Sequence, residues 1–208
     1  MSNSQKAHWE QVYTAKLPSE VSWYEPVPAQ SLEFIRATGE LQAAPILDVG
    51  GGASTLVDNL LRLGYSDISV LDIAASALDR ARVRLGELAA RVAWIEADIT
   101  RYQSVRAYSI WHDRAVFHFL TSAEDRERYF SVLRKSLRAG GHVVLATFGP
   151  EGPTRCSGLE VQRYSALEIS AMLGSGFALR MYRVEEHRTP LGTVQQFLYG
   201  WWQAAATG

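Results

Sequence analysis

The chain has 208 residues, of which 47% are hydrophobic and 21% charged, with a formal net charge of −1. That length holds one well-buried domain, and so balanced a charge supplies no field to draw nucleic acid or an anionic membrane. No run approaches a membrane span, "MSNSQKAHWEQVY" has no apolar stretch behind a basic start, and the single cysteine, Cys156, excludes an internal disulfide, so the expectation is a cytoplasmic protein, monomeric or weakly dimeric.

In chain order, residues 4–15 predict a short helix with Trp9, Val12 and Tyr13 on one face. "LPSEVSWYEPVP" follows as a proline-bounded loop, then "AQSLEFIRATG" (29–39) as an amphipathic helix stopped by Gly39. From Pro45 short apolar strands alternate with helices. "PILDV", "ISVLDI", "VAWIEADI", "YSIWHD" and "HVVLATF" are the strands. "STLVDNLLRLG", "SALDRARVRLGELAA" opened by Ser76, and "EDRERYFSVLRKSLRAGG" closed by Gly140-Gly141 are the helices. This rhythm predicts a parallel sheet covered on both faces. The tail departs from it. After a helix over 165–173, "FALRMYRVEEHR" and "TVQQFLYGWWQ" have no helix between them and should pair antiparallel. The predicted fold is α/β, a three-layer α/β/α sandwich with one antiparallel strand near an edge.

Ligands of an open parallel sheet bind beyond the carboxyl ends of its strands. Four successive strands put an acid there: Asp48, Asp72, Asp98 and Asp113, the last in "HDR". Crowded carboxylates repel a pyrophosphate and suit a cation or a ribose diol. Asp72, about twenty residues past the glycine loop, stands where a ribose reader stands. In "DVGGGAST" Gly50 and Gly52 give two glycines of the dinucleotide fingerprint, but its third falls on Thr55. What survives is close approach of a ligand to backbone, with helix N–H groups open to an anionic group. A ligand with a ribose, a cationic part and a carboxylate fits, and S-adenosylmethionine has all three.

On "ILDVGGGAST", "VLDI", "EADI", "HDRAVFHFL" and the terminal strand pair, residues 40–202 resemble the class I S-adenosylmethionine-dependent methyltransferases. The resemblance implies a Rossmann-like seven-stranded sheet with the last strand antiparallel, and S-adenosylhomocysteine as product. It implies Asp48, Gly50, Gly51, Gly52 and Ser54 on the methionine side, Asp72 on the ribose, Asp98 on the adenine amino group, and Ile73 and Ile99 against the ring. "HWEQVY", "VSWYEP" and "WHDRAVFHFL" are similar to the branch holding thiopurine and protein-lysine methyltransferases, in which an aromatic N-terminal segment folds over the cofactor.

The chain divides into an N-terminal cap (1–39), a cofactor-binding core (40–148), a substrate loop (149–164) and a C-terminal helix with its strand pair (165–208), all within one domain. The expected catalytic residues are Asp113, Arg114 and His118, the last as a candidate general base. Tyr13 and Trp23, whose aromatic faces attract cations, join the cofactor site, as does His112, which like His118 is a candidate general base. Tyr24, Arg114, Cys156 and Arg163 are the acceptor candidates. Trp9 is expected simply to pack, and the histidine and cysteine spacing implies no metal. Methyl transfer to N, O or S of a small molecule is the leading expectation. A protein lysine is the alternative acceptor; a nicotinamide oxidoreductase and a non-catalytic adenosine-ligand module are the alternatives of other classes.

Overall fold

The computed structural model describes residues 3–15, 20–190 and 192–206. Residues 16–19, the start of the proline-bounded loop, and Leu191 of the "TPLG" link lie outside them. Strands β1 (Ile46–Val49), β2 (Ile68–Asp72), β3 (Val92–Glu96), β4 (Tyr108–Arg114) and β5 (Leu137–Phe148) run parallel. Two-residue strands β6 (Arg155–Cys156) and β7 (Leu159–Glu160) form a separate hairpin. Strands β8 (Phe177–Arg188) and β9 (Val194–Ala204) complete a seven-stranded sheet of order β3-β2-β1-β4-β5-β9-β8. β9 is antiparallel to both neighbours, so the antiparallel strand sits one in from the edge. The helices are α1 (Asn3–Ala15), α2 (Ala29–Ala37), α3 (Leu56–Arg62), α4 (Ala75–Leu85), α5 (Ala123–Ser136) and α6 (Ala166–Leu173).

Strand alternation sorts the core into two layers. Ile46, Ile68, Val70, Ile110, Val144, Phe148, Phe197 and Tyr199 face one side with Phe34, Ile35 and Leu60 of α2 and α3. Leu47, Val49, Leu71, Trp111, Val143, Leu145 and Trp202 face the other, with Tyr129 and Leu133 of α5 and Ile169 of α6. Trp201 packs on the first layer and Trp202 belongs to the second. The strand order reverses at β1 and β4, and a crevice opens there.

Two helix ends differ from the sequence expectation. α5 stops at Ser136, not at Gly141, because Leu137 already pairs with Tyr108 and starts β5. α4 is capped not by Ser76 but by a distant residue. Glu10 of α1 accepts from Ala75 N at 2.7 Å and from Ser76 N at 3.1 Å, meeting the positive end of the helix with a carboxylate. This bond fastens the N-terminal cap to the core. Glu10→Ala is expected to lower stability by about 1 kcal/mol, read as a lower melting temperature, with the glycine loop's own contacts unchanged.

Candidate active site

The glycine loop leaves β1 into the crevice. Gly50 has φ +67 and Gly52 φ +21. A Cβ on Gly50 would overlap Val116, one on Gly51 would overlap Asp48 Oδ2, and one on Gly52 would overlap Asp72 Oδ2. The loop is therefore backbone pressed against two carboxylates, which only glycine permits. The cleft above it has an empty volume of about 1240 Å³, mouth included.

Register explains the floor. Asp48 pairs with His112 across β1 and β4, so both point to the same face. His112 Nδ1 lies 2.7 Å from Asp48 Oδ1, and its Nε2 lies 2.9 Å from Ser31 Oγ of α2. Asp48 is 2% exposed, yet its Oδ2 has no partner among the described residues. A buried acceptor left open in a cleft wants a donor from a ligand. Asp72 lies beside it. Its Oδ1 accepts from Ala74 N at 2.9 Å. Burial pushes its carboxyl up to about 7, against the pull of that N–H, and the Asp48 charge adds to the rise. Ile73, Ala97 and Ile99 give the cleft an apolar shelf past Asp72, and Ser54 closes the loop end.

The roof comes from the N-terminal segment. Trp9, Tyr13, Trp23 and Phe119 form a ring cluster, with centroids 5.0 Å apart for Trp9 and Phe119 and 5.8 Å for Trp9 and Trp23. Trp9 thus lines the cleft as well as packing. Arg114 holds the roof down. It donates to Tyr199 Oη at 2.9 Å, the Trp23 carbonyl at 2.7 Å and Glu25 Oε1 at 2.6 Å. Glu25 also meets His187 Nδ1 at 3.1 Å. Arg114 was expected to orient an anionic or carbonyl-bearing acceptor; its nitrogens are instead committed to the protein, so it positions the wall. The next residue, Ala115, takes φ 75, a strained turn for a residue with a Cβ at the end of β4.

Four expected site residues do not line the cleft: Asp113, Asp98, Gly52 and Arg163. Asp113 follows His112 and so points to the opposite face, toward α5. There it accepts from Tyr129 Oη at 2.6 Å and from Val116 N at 2.9 Å, and Tyr129 accepts from Trp111 Nε1. Burial raises its carboxyl to about 6, although these donors oppose the rise. Asp113 therefore shapes the turn after β4, with its carboxylate held by Tyr129 and Val116 outside the cleft lining. Tyr129→Phe, which strips one donor from this buried acid, is expected to cost about 2 kcal/mol of stability while S-adenosylmethionine binding persists; melting and titration of the same preparation check both. Asp98 lies past the end of β3 and accepts from Thr100 N and Oγ1. Gly52 gives room to Asp72 from below the loop. Arg163 is exposed and donates to the Gly152 carbonyl at 3.4 Å.

The remaining candidates come together. His118, in a short helical turn (Phe117–Phe119), Cys156 of the β6–β7 hairpin and Tyr24 all line the cleft. His118 is fully buried, and burial, then the Arg114 charge, lowers it to about 3. With its basicity lowered this far the ring takes up a proton only weakly near neutral pH, which speaks against a general-base role. The loop 149–164 folds as the hairpin and is tied to this turn by Gln162 N donating to the His118 carbonyl at 2.8 Å. The sequence reading missed Glu25, Phe197 and Gln195, which also line the cleft. Gln195 and Phe197 alternate on β9, a signal usable only once β9 is paired with β5.

Residues 46–141 match the family model described as "Methyltransferase domain". This stretch is similar to a methyltransferase domain. It carries Asp48, the glycine loop, Asp72, Arg114 and His118. No curated protein matches the chain in sequence. Solved structures share its fold. One, from work on the conversion of a disulfide bond into a thioacetal group during echinomycin biosynthesis, is 17% identical with TM-score 0.76, covering 98% of this chain and 94% of that one. A SAM-dependent methyltransferase from Anabaena variabilis is 16% identical with TM-score 0.73, covering 96% and 95%. The N-methyltransferase NodS from Bradyrhizobium japonicum, in complex with S-adenosyl-L-homocysteine, is 14% identical with TM-score 0.69, covering 94% and 97%. Around the matched stretch the chain adds α1, the 20–28 roof and the β8–β9 pair.

Proposed function

We propose that the protein is an S-adenosylmethionine-dependent methyltransferase acting on N, O or S of a small molecule. The observation that carries the reading is the glycine loop pressed between two buried carboxylates, Asp48 with an unpartnered oxygen and Asp72. These residues fit the group. The open Asp48 oxygen suits the ammonium, Asp72 the ribose diol, and the Ile73–Ile99 shelf the adenine ring. The solved structure of NodS with S-adenosyl-L-homocysteine supports a ligand of this kind.

When bound, S-adenosylmethionine supplies a methyl carbon that the acceptor's lone pair takes as the C–S bond breaks toward sulfur, leaving S-adenosylhomocysteine and a proton. The chain's own part is placement. Asp48 and Asp72 fix the donor, Arg114 and Glu25 hold the roof, and the aromatic cluster keeps water from the reacting line. The roof and the hairpin enclose the acceptor space, which favours a small molecule over a lysine side chain on a folded partner. One cysteine in the chain, Cys156, is in keeping with a cytoplasmic setting. Incubation with methyl-tritiated S-adenosylmethionine and a panel of phenols, amines, thiols and whole-cell protein tests the reading. Label in an organic-extractable product is expected; label only in protein would move the acceptor to lysine.

A further inference from the structure

The β5–β9 side of the cleft carries polar atoms that the protein leaves open. His118 is fully buried, and among the described residues neither Nδ1 nor Nε2 has a partner; Gln195 Oε1 is buried and likewise without one among them. Both side chains line the cleft. They bracket an aromatic floor. His118 stacks on Phe148 with centroids 4.5 Å apart and planes at 29°, and Phe148 meets Phe197 at 4.9 Å. Phe197 lies two residues from Gln195 on β9, hence on the same face. Arg114 passes over Phe197 at 5.3 Å, but its charge is answered by Glu25, and Glu25 is shared with His187.

On this side of the cleft, away from Asp48 and Asp72, an ion would lose its water with no unpaired opposite charge among the described residues, a large cost. A neutral imidazole offers one N–H and one lone pair, and the glutamine oxygen offers an acceptor. We propose that this side of the cleft is the acceptor subsite, and that it takes an uncharged flat ring whose hydroxyl or N–H groups pair with His118 and Gln195. The assignment rests on the methyltransferase reading for the word acceptor. The recognition chemistry stands on the residues alone. His118 is here a binding residue. Burial and the Arg114 charge keep it neutral, so it donates or accepts one hydrogen bond without taking the acceptor's proton.

Calorimetric titration of the full chain with 2-naphthol, 2-methylnaphthalene, 2-naphthoate and 2-naphthylmethylammonium, with and without S-adenosylhomocysteine, tests it. 2-Naphthol is expected to bind at least about tenfold tighter than either ion and than the methyl compound. His118→Phe is expected to erase the advantage of 2-naphthol over 2-methylnaphthalene and leave the methyl compound's own affinity in place. Gln195→Leu gives a second reading on a partly exposed strand if the first variant does not fold. Equal or tighter binding of an ion, no binding of any of the four, or an unchanged naphthol advantage in the folded variant overturns the proposal. Failure of S-adenosylhomocysteine to bind while 2-naphthol behaves as described would instead sink the methyltransferase reading and leave the subsite standing.

Discussion

Asp72→Asn is expected to weaken S-adenosylmethionine binding by about a hundredfold and, at the same time, to stabilise the ligand-free protein above pH 7. The first effect follows from exchanging an ionised acceptor of two hydroxyl donors for an amide that accepts at one end only. The second follows from linkage. Asp72 sits near 7 in the folded chain against an ordinary 3.8, raised by burial. Between those values the folded state holds a proton that the unfolded state has lost. Stability therefore falls as pH rises through the window and is lowest above it. The cost is on the order of a few kcal/mol, and asparagine removes it. Ligand affinity runs the other way. A diol selects the ionised acid, so wild-type affinity should climb from pH 5 toward 7 and level off above it, while the variant's stays flat. Asp48 and Glu10, whose charges help raise Asp72, should each shift that midpoint downward when neutralised. Melting curves and titrations across pH check both effects.

Arg114→Ala is expected to cost about 3 kcal/mol, a fall in melting temperature of roughly 10 °C. The guanidinium joins three separate pieces, the β9 hydroxyl of Tyr199, the backbone of Trp23 and the carboxylate of Glu25, and its side chain is 12% exposed. Removing it leaves Glu25 with His187 as its remaining partner in this network and frees the roof. The variant should lose Trp23 fluorescence anisotropy and be cut by protease within residues 20–28 sooner than wild type. Adding Glu25→Gln should recover part of the stability, because the stranded charge is gone. Arg114→Lys should behave nearly as badly, since one ammonium cannot span the three directions. If Arg114 served only to meet an anionic acceptor, the melting temperature would hold and only acceptor affinity would move.

The parts of this site that were legible in the sequence are those that depend on one strand at a time. The apolar run "PILDV" ending in an acid and three glycines places Asp48 and the loop, and "VLDI" places Asp72, because a strand end in a parallel sheet is a fixed location. What misled was parity. Asp113 ends a strand too, yet β4 is registered so that His112 faces Asp48, and that sends Asp113 to the α5 side. Nothing local to "HDR" tells which of the first two residues faces the cleft. Arg114 and Glu25 failed for a related reason. Their roles rest on contacts spanning tens of residues, between the N-terminal loop, β4 and β9. The terminal strand pair was read correctly because the missing helix between its strands is itself a local signal. The end of α5 was not, because the charged run "RKSLRAGG" keeps helical composition past Ser136 and only the partner strand, at Tyr108, pulls Leu137 into the sheet.

The central claim is that the cleft between Asp48 and Asp72 holds S-adenosylmethionine. Calorimetric titration of the full chain with S-adenosylmethionine, S-adenosylhomocysteine, NAD and NADP tests it most directly. Micromolar binding of the first two at one site per chain, with neither dinucleotide competing, is the predicted result. Binding of NAD or NADP in their place, or of none of the four, would contradict it.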